Sequence, residues 1–269
     1  QKACPIGVLI PEIMELVCKG EKLEALRHLI QYNPMPSITS RICPGFCQMA
    51  CLRGTKDKNV EIQEFEQILG DEIEHNSDIF YIAPSGDSGK KVAVLGGNAA
   101  GLSAAYHLRR VGNHVTVYID SCDEKGEVPC YHIEKLPFPQ IEKYIENLKK
   151  MGVTMITDGK RETIPLEHYD CILDLKKGNG EWELEHFLKD IKVGYEKAKK
   201  INLDFGLKTY LEPAPFFTRV WKESEILVQE EYDYFLKKLD GWEKAILIGK
   251  RCMNCASYAA QTSIVGAAM

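Results

Sequence analysis

Three cysteines at regular spacing are the residues of this chain best suited to metal chemistry. Cys43, Cys47 and Cys51 follow one another at C-x3-C-x3-C spacing, with Pro44 after the first. A turn with this spacing brings several sulfurs close together, and thiolates are the ligands of iron–sulfur clusters. Zinc is the alternative, because four thiolates would also bind it. No histidine lies near, and the C-x2-C pairs of zinc ribbons are missing here, so the spacing favours a cluster.

A glycine-rich turn between two apolar, β-branched runs is the second feature with chemical meaning. The runs Lys91–Leu95 and His114–Ile119 flank a helical pattern, which gives strand, turn, helix and strand in about 30 residues. In such a βαβ unit, glycines let backbone amides approach a pyrophosphate, and the helix N-terminus supplies positive potential. The residues expected to line a dinucleotide are Gly96, Gly97, Asn98, Ala100, Gly101 and Asp120.

The βαβ unit departs from the usual dinucleotide-binding pattern at two places, one in the G-x-G-x-x-G turn and one at the end of the second strand. Gly96 and Gly101 hold the first and third positions, but Asn98 holds the second. We expect Asn98 to take a positive φ, which asparagine tolerates better than other non-glycine residues, although its side chain would crowd a phosphate. The acid that binds a ribose hydroxyl should fall near Ile119, and an acid appears only at Asp120. The alternative to a bound dinucleotide is therefore a Rossmann-like unit that lost its ligand and is kept for packing.

The apolar patterns predict an α/β fold with a helical first part. Residues 1 to about 80 form an N-terminal α-helical domain, since residues 11–19, 22–31 and 60–73 carry apolar residues three and four apart. The cysteines occupy the loop between the second and third of these helices. This domain would hold the metal centre.

A Rossmann-like domain with a parallel sheet is expected to follow. Residues 81–90 form a linker rich in glycine and serine, and residues 91–269 form the dinucleotide-binding domain. Strands are predicted at residues 169–175 and 244–249. A helical insertion of about residues 176–242, rich in Lys, Glu, Tyr and Trp, lies between them.

Composition excludes several classes of protein. The chain has 269 residues, of which 45% are hydrophobic, so it can bury a core and form two domains. A net charge of -5 without a basic block argues against a nucleic-acid partner. We find no apolar run of membrane-spanning length and no signal peptide. Ten cysteines in a chain of this size favour metal or redox use in a reducing cytoplasm over a disulfide framework.

The chain resembles the small subunit of glutamate synthase. The resemblance is carried by Cys4-Pro5, two helices, the motif N-P-x-P-x-I-T-x-R-[IV]-C-P, further cysteines and a flavin-type βαβ unit. It is equally similar to the N-terminal part of dihydropyrimidine dehydrogenase and to the large subunit of the NADH-dependent ferredoxin:NADP oxidoreductase. The resemblance covers residues 1 to about 175 and, more weakly, 243–269. The cysteine loop followed by the βαβ unit is its specific part.

This resemblance implies a [4Fe-4S] cluster in the helical domain. Its ligands would be Cys4, Cys43, Cys47 and Glu66, because the family has Glu or Gln at the last of these positions. Cys51 would belong to a second cluster, whose other cysteines precede Cys4 in the family. This sequence begins too late to supply them, so three alternatives are open: the sequence is truncated, the second cluster is absent, or Cys51 finds partners elsewhere.

The resemblance also implies FAD on Gly96–Gly101, again with departures. Where the family has Gly-Asp near the flavin ribityl and phosphate, this chain has Gly249 and Lys250. A lysine could pair with phosphate or mark loss of the flavin. Cys252 and Cys255 follow as a C-x-x-C pair, which suits two metal ligands, a dithiol or half of a cluster site, and equally a structural role. Residues 176–242 lack the glycine-rich turn of the family's NADPH domain, so direct hydride exchange with NAD(P)H is not expected.

Three functional hypotheses follow. The first is an electron-transfer subunit of a larger cytoplasmic oxidoreductase, passing electrons between a [4Fe-4S] cluster and FAD, with other subunits as redox partners. The second is a flavin-free adaptor, because four expected flavin-contact points are altered, namely Asn98, Ile119, Asp174 and Lys250. The third is a self-sufficient NAD(P)H-dependent reductase, against which the missing second glycine-rich turn argues.

Overall fold

The fold is α/β, with a helical N-terminal region followed by a parallel sheet, as the sequence predicts. The computed structural model describes residues 3–119, 138–157, 165–175 and 184–207 and the single positions 245, 246, 248 and 250. The helices are α1 (Ile10–Lys19), α2 (Lys22–Tyr32), α3 (Pro36–Ile42), α4 (Phe46–Met49), α5 (Ile62–His75), α6 (Ser77–Phe80), α7 (Ala99–Arg110), α8 (Phe138–Lys150) and α9 (Leu184–Asp204). The strands are β1 (Lys91–Leu95), β2 (His114–Ile119), β3 (Thr154–Thr157) and β4 (Cys171–Asp174).

Helix α3 changes the expected setting of the cysteines. The sequence predicts a loop across this region, but Pro36 begins a helix that ends at Ile42, directly before Cys43. Proline is favoured in the first helical turn because its fixed φ suits the helix and its missing N–H would have no helical partner there. Almost every residue of α3 is buried, and the helix packs on α5. Cys43 is thus fixed at the end of a buried helix.

The sheet has the strand order of a dinucleotide-binding unit. Its four strands are parallel, in the order β3-β2-β1-β4. In register, Leu95 at the end of β1 pairs with Tyr118 of β2 on one side and Asp174 of β4 on the other. After β1 the chain continues to β2, which pairs with one edge of β1, whereas β4 pairs with the opposite edge of β1. In open α/β sheets this arrangement makes a crevice between the carboxyl ends of the two strands at which the direction reverses, here β1 and β4.

Helix α7 is buried on nearly all sides. Of its residues, every one except Arg109 is buried. The sheet covers one side of the helix and α9 covers another. A Cβ built on Gly194 of α9 would lie 2.2 Å from the carbonyl oxygen of Ala100, so the two helices approach each other at backbone distance. The Ser103 hydroxyl donates a hydrogen bond to the Ile191 carbonyl at 2.8 Å, which fixes their register.

The helical region and the sheet region share one hydrophobic core, which runs from Ile6 to Ile248. Tyr81 lies at the junction. Its hydroxyl donates a 2.9 Å hydrogen bond to the carbonyl of Pro34 in the helical region. Its ring meets the rings of Tyr106 and Tyr144 edge-on, with centroids 5.8 Å away in each case. The expected linker therefore begins with a buried residue that ties the two regions together.

The predicted helical insertion and the last predicted strand have different outcomes. Residues 184–204 form the 21-residue helix α9, and the rest of the predicted insertion lies mostly outside the described residues. The strand predicted at 244–249 is wrong where this stretch is described, since residues 245, 246 and 248 are helical. A short apolar run fits either state, and periodicity alone does not separate them. Among the described helices, none combines the length and apolar character needed to cross a membrane.

Candidate iron–sulfur site and glycine turn

A tight turn brings Cys43 and Cys47 onto adjoining elements. Gly45 between them has φ +79, in the left-handed region that favours glycine, and begins the short helix α4 that carries Cys47. The Gly45 amide donates to the Cys43 sulfur at 3.4 Å. The side-chain amide of Gln63 on α5 donates to the Cys43 carbonyl at 2.8 Å and so ties this turn to α5. Backbone N–H groups directed at sulfur are one of the features that set cluster potentials.

Cys4 reaches the same region through a second turn. The Gly7 amide donates to the Cys4 carbonyl at 3.1 Å, and Gly7 has φ +87. A Cβ built on Gly7 would lie 3.7 Å from the Lys192 ammonium of α9. The turn that carries Cys4 therefore lies beside the Lys192 side chain of α9.

Glu66 is a buried carboxylate on α5 that faces this group of cysteines. Only 8% of the residue is exposed. Its Oε1 accepts a hydrogen bond from the Asn33 side-chain amide at 2.9 Å and a longer one from the Thr39 hydroxyl at 3.4 Å. Burial raises the pKa of Glu66 to about 7, although both hydrogen bonds act in the opposite direction. A carboxylate is seldom buried without a cation or another partner to balance its charge.

Electrostatic coupling shows that the four predicted ligands lie near one another. Burial, with smaller contributions from the charges of Glu66, Cys4 and Cys43, raises the pKa of Cys47 to about 12. Burial also raises the pKa of Cys43, where Glu66 and Cys4 add to the effect. Four groups that become anionic together in a partly buried place repel each other unless cations join them. Metal binding would supply those cations and release the thiol protons.

The donor set fits an iron–sulfur cluster in its chemistry. In the described part of the chain, no three His, Cys, Asp or Glu side chains converge as the ligands of a single metal ion do. A [4Fe-4S] cluster does not require such convergence, because each of its irons takes its own protein ligand and the ligands surround a larger body. Here three thiols and one carboxylate influence each other's charges but do not converge on one point, as the ligands of a [4Fe-4S] cluster would.

Of the other residues predicted to bind metal or phosphate outside the glycine turn, the structure describes Cys51 and Lys250. Cys51 is half-buried and precedes a short 3₁₀ helix at Leu52–Thr55. Lys250 is helical and exposed, and its charge lowers the pKa of Cys18 on α1, against the larger effect of burial, which raises it. Asp120, Gly249, Cys252 and Cys255 lie outside the described residues. All described cysteines are free thiols.

The glycine turn has the expected course but a different role for Asn98. Gly96 has φ +122, and a Cβ on Gly101 would lie 1.9 Å from the Gly96 carbonyl, so only glycine allows helix and strand to approach this closely. The expectation of a positive φ at Asn98 is wrong, since its φ is -74 and ψ 178. Asn98 instead caps α7, with its side-chain oxygen accepting from the Gly101 amide at 2.9 Å. This capped turn is a poor fit for a flavin pyrophosphate.

Sequence reasoning missed the residues that hold the predicted ligands in place. Asn33 and Thr39 orient Glu66, and Gln63 anchors Cys43. A signal for the first two was present, because they are the Asn and Thr of the N-P-x-P-x-I-T motif on which the resemblance rests. Gln63 carried no comparable signal. It is a half-buried polar residue one turn before Glu66 on the same helix.

The chain has cysteines and a buried acid in a helical region, followed by a parallel α/β sheet, and proteins similar to it include iron–sulfur proteins and oxidoreductases. Residues 1–78 match the family described as dihydropyrimidine dehydrogenase domain II, 4Fe-4S cluster. The chain is 34% identical over 157 residues to the "Glutamate synthase [NADPH] small chain" of Bacillus subtilis, covering 58% of this chain and 32% of that protein. The suspected resemblance to the glutamate synthase small chain is thereby confirmed.

Two further relatives extend the comparison. The "Putative oxidoreductase YgfK" of Escherichia coli O157:H7 is 32% identical over 262 residues, which is 96% of this chain and 23% of that protein. The "NADPH-Fe(3+) oxidoreductase subunit beta" of Geobacter sulfurreducens is 30% identical over 162 residues, or 58% of this chain and 24% of that protein. The chain thus spans about a quarter to a third of the length of these three relatives.

Proposed function

We propose that this chain is an electron-transfer subunit of a larger oxidoreductase complex, holding one [4Fe-4S] cluster with Cys4, Cys43, Cys47 and Glu66. The observation that carries this proposal is that three half-buried thiols, Cys4, Cys43 and Cys47, lie close enough to the buried Glu66 carboxylate to be coupled to it electrostatically. A [4Fe-4S] group, when bound, supplies reversible one-electron transfer. The protein's part is to hold the ligands and to exclude water.

The surrounding residues suit this role. Asn33 and Thr39 donate to one oxygen of Glu66, and both are buried. They keep the carboxylate oriented, as residues around metal ligands commonly do. The Gly45 amide donates to the Cys43 sulfur and lowers its basicity. The burial of Glu66 and the partial burial of the three cysteines lower the dielectric around the site, and this, together with hydrogen bonds to sulfur, sets a reduction potential.

Partner subunits belong to the proposal because of what the relatives are called. One match is a "small chain" and another is a "subunit beta", so we propose that this chain likewise works with redox partner subunits in a reducing cytoplasm. FAD on the glycine turn, which the sequence predicts, finds support in the strand order β3-β2-β1-β4 and the positive φ of Gly96. The Asn98 cap counts against it.

A reductive titration tests the electron-transfer role. The full chain, purified without oxygen, is titrated with dithionite while visible and electron paramagnetic resonance spectra are recorded. We expect the protein to take up about one electron per four irons and to give a reduced-cluster resonance signal. A protein that contains iron but accepts no electrons over the accessible range of potentials would contradict the proposal. Copurified partner subunits would be identified from the same anaerobic preparation.

A further inference from the structure

We infer that Asn98 closes the crevice in which a dinucleotide would cross this sheet, and that the βαβ unit serves as a scaffold without a bound flavin. The inference concerns the glycine turn alone and does not depend on the cluster. It rests on where the Asn98 side chain lies, on the burial of the turn and on the residue that ends β2.

The crevice lies between the ends of β1 and β4. These two strands pair in parallel up to Leu95 and Asp174, and the Leu175 amide extends the pairing by donating to the Leu95 carbonyl at 2.9 Å. The chain turns from β1 into α7 on one side of this point, while β4 lies on the other. Dinucleotides bind across an open α/β sheet at such a switch point, with the pyrophosphate at the N-terminus of the first helix.

The side chain of Asn98 bridges this switch point. Its amide nitrogen donates to the Leu175 carbonyl at 2.7 Å, just beyond β4. Its oxygen accepts from the Gly101 amide at 2.9 Å, in the first turn of α7. Asn98 therefore connects the two walls of the crevice, and it also accepts the hydrogen bond of an amide at the N-terminus of α7 that a phosphate would otherwise accept. A glycine at this position would leave both the space and the amide free for a phosphate.

The turn itself is inaccessible. All residues from Gly96 to Ala100 are buried, and Asn98 is only 6% exposed. The crossing helix α9 reaches the first turn of α7, where a Cβ on Gly194 would lie 2.2 Å from the Ala100 carbonyl. A pyrophosphate would have to displace the Asn98 side chain before it could reach the backbone amides.

The end of β2 presents an apolar side chain to the same turn. Ile119 is the last residue of β2, and a Cβ on Gly97 would lie 2.8 Å from its side chain. Dinucleotide-binding folds use an acid in this region to accept hydrogen bonds from the ribose. Isoleucine accepts none, and its contact with Gly97 fills the space beside the turn. The closed turn instead serves to hold α7 in place beneath α9 and against the helical region.

The test is flavin binding by the full chain. Protein purified without oxygen is dialysed to equilibrium against FAD, and flavin released by heat is also measured in the untreated sample. At about 100 µM FAD, a site of micromolar affinity would be almost filled. We expect no flavin in the untreated sample and no saturable binding. Near-stoichiometric FAD in either measurement would overturn the inference.

Two variants show whether Asn98 is the cause. Asn98→Gly removes the bridge and restores the glycine of the usual pattern, so we expect its affinity for FAD to exceed that of the natural chain by about tenfold or more. Asn76→Gly is the matched control, because it removes a buried asparagine that bonds to Glu72 but leaves the turn intact. An Asn98→Gly chain that binds FAD no better than the Asn76→Gly chain would overturn the role assigned to Asn98.

Discussion

Replacing Glu66 by glutamine should change the pH dependence of folding in the iron-free chain. Burial raises the pKa of this carboxyl from 4.5 to about 7, so the folded chain binds its proton more tightly than the unfolded chain does. The stability that comes from protonated Glu66 is complete below pH 4.5 and is lost as the pH rises through about 7. At about 1.4 kcal/mol per pKa unit, the full loss is about 3 kcal/mol.

Glutamine has the same shape and remains neutral, so it avoids this loss. The iron-free Glu66→Gln chain should match the natural chain near pH 4.5 and exceed its free energy of unfolding by about 3 kcal/mol at pH 8. Urea unfolding at both pH values, in anaerobic buffer with a reductant, measures the difference. Glu64→Gln on the same helix is the control, because Glu64 is only half-buried. An equal difference between the Glu66→Gln and natural chains at both pH values would refute the assignment of Glu66 as a buried acid with a raised pKa.

Two further substitutions test the packing that positions the site. Tyr81→Phe removes the donor to the buried Pro34 carbonyl and should cost about 1–2 kcal/mol, seen as a lower thermal midpoint; an unchanged midpoint would mean that this bond does not join the two regions. Gly101→Ala places a methyl group 1.9 Å from the Gly96 carbonyl and should cost about 3 kcal/mol or more in urea unfolding. Gly86→Ala, which meets no atom within 4 Å, should stay within about 0.5 kcal/mol, and similar effects of the two alanines would contradict the close approach.

The βαβ unit could be predicted because its signals are local. Gly96, Gly101 and the two β-branched runs lie within one short stretch, and their roles depend on neighbours in the sequence. The role of Asn98 could not be predicted in this way, because its partner Leu175 is 77 residues away. The sequence around Asn98 suggests a turn residue with positive φ, whereas in the structure its side chain caps α7 at the nearby Gly101 amide and bridges to the distant Leu175 carbonyl.

The candidate cluster site likewise has residues that could be predicted from local sequence and residues that could not. The spacing of Cys43 and Cys47 indicated metal chemistry without further information. Glu66 could not be separated by its own pattern from surface glutamates, because its burial depends on α3 and on Asn33, which is 33 residues earlier. Only the resemblance to a family pointed to it. The α3 helix was missed although Pro36 at its start is a common sign of a helix N-terminus, because the cysteines and prolines around it suggested a loop.

Iron and acid-labile sulfide per chain test the central claim most directly. Protein purified without oxygen should contain about four irons and about four sulfides per chain, as one [4Fe-4S] cluster requires. Cys43→Ser should lose most of both, while Cys18→Ser, which alters a free thiol on α1, should keep them. A Cys43→Ser chain with the iron and sulfide content of the natural protein would contradict the ligand assignment and, with it, the proposed function.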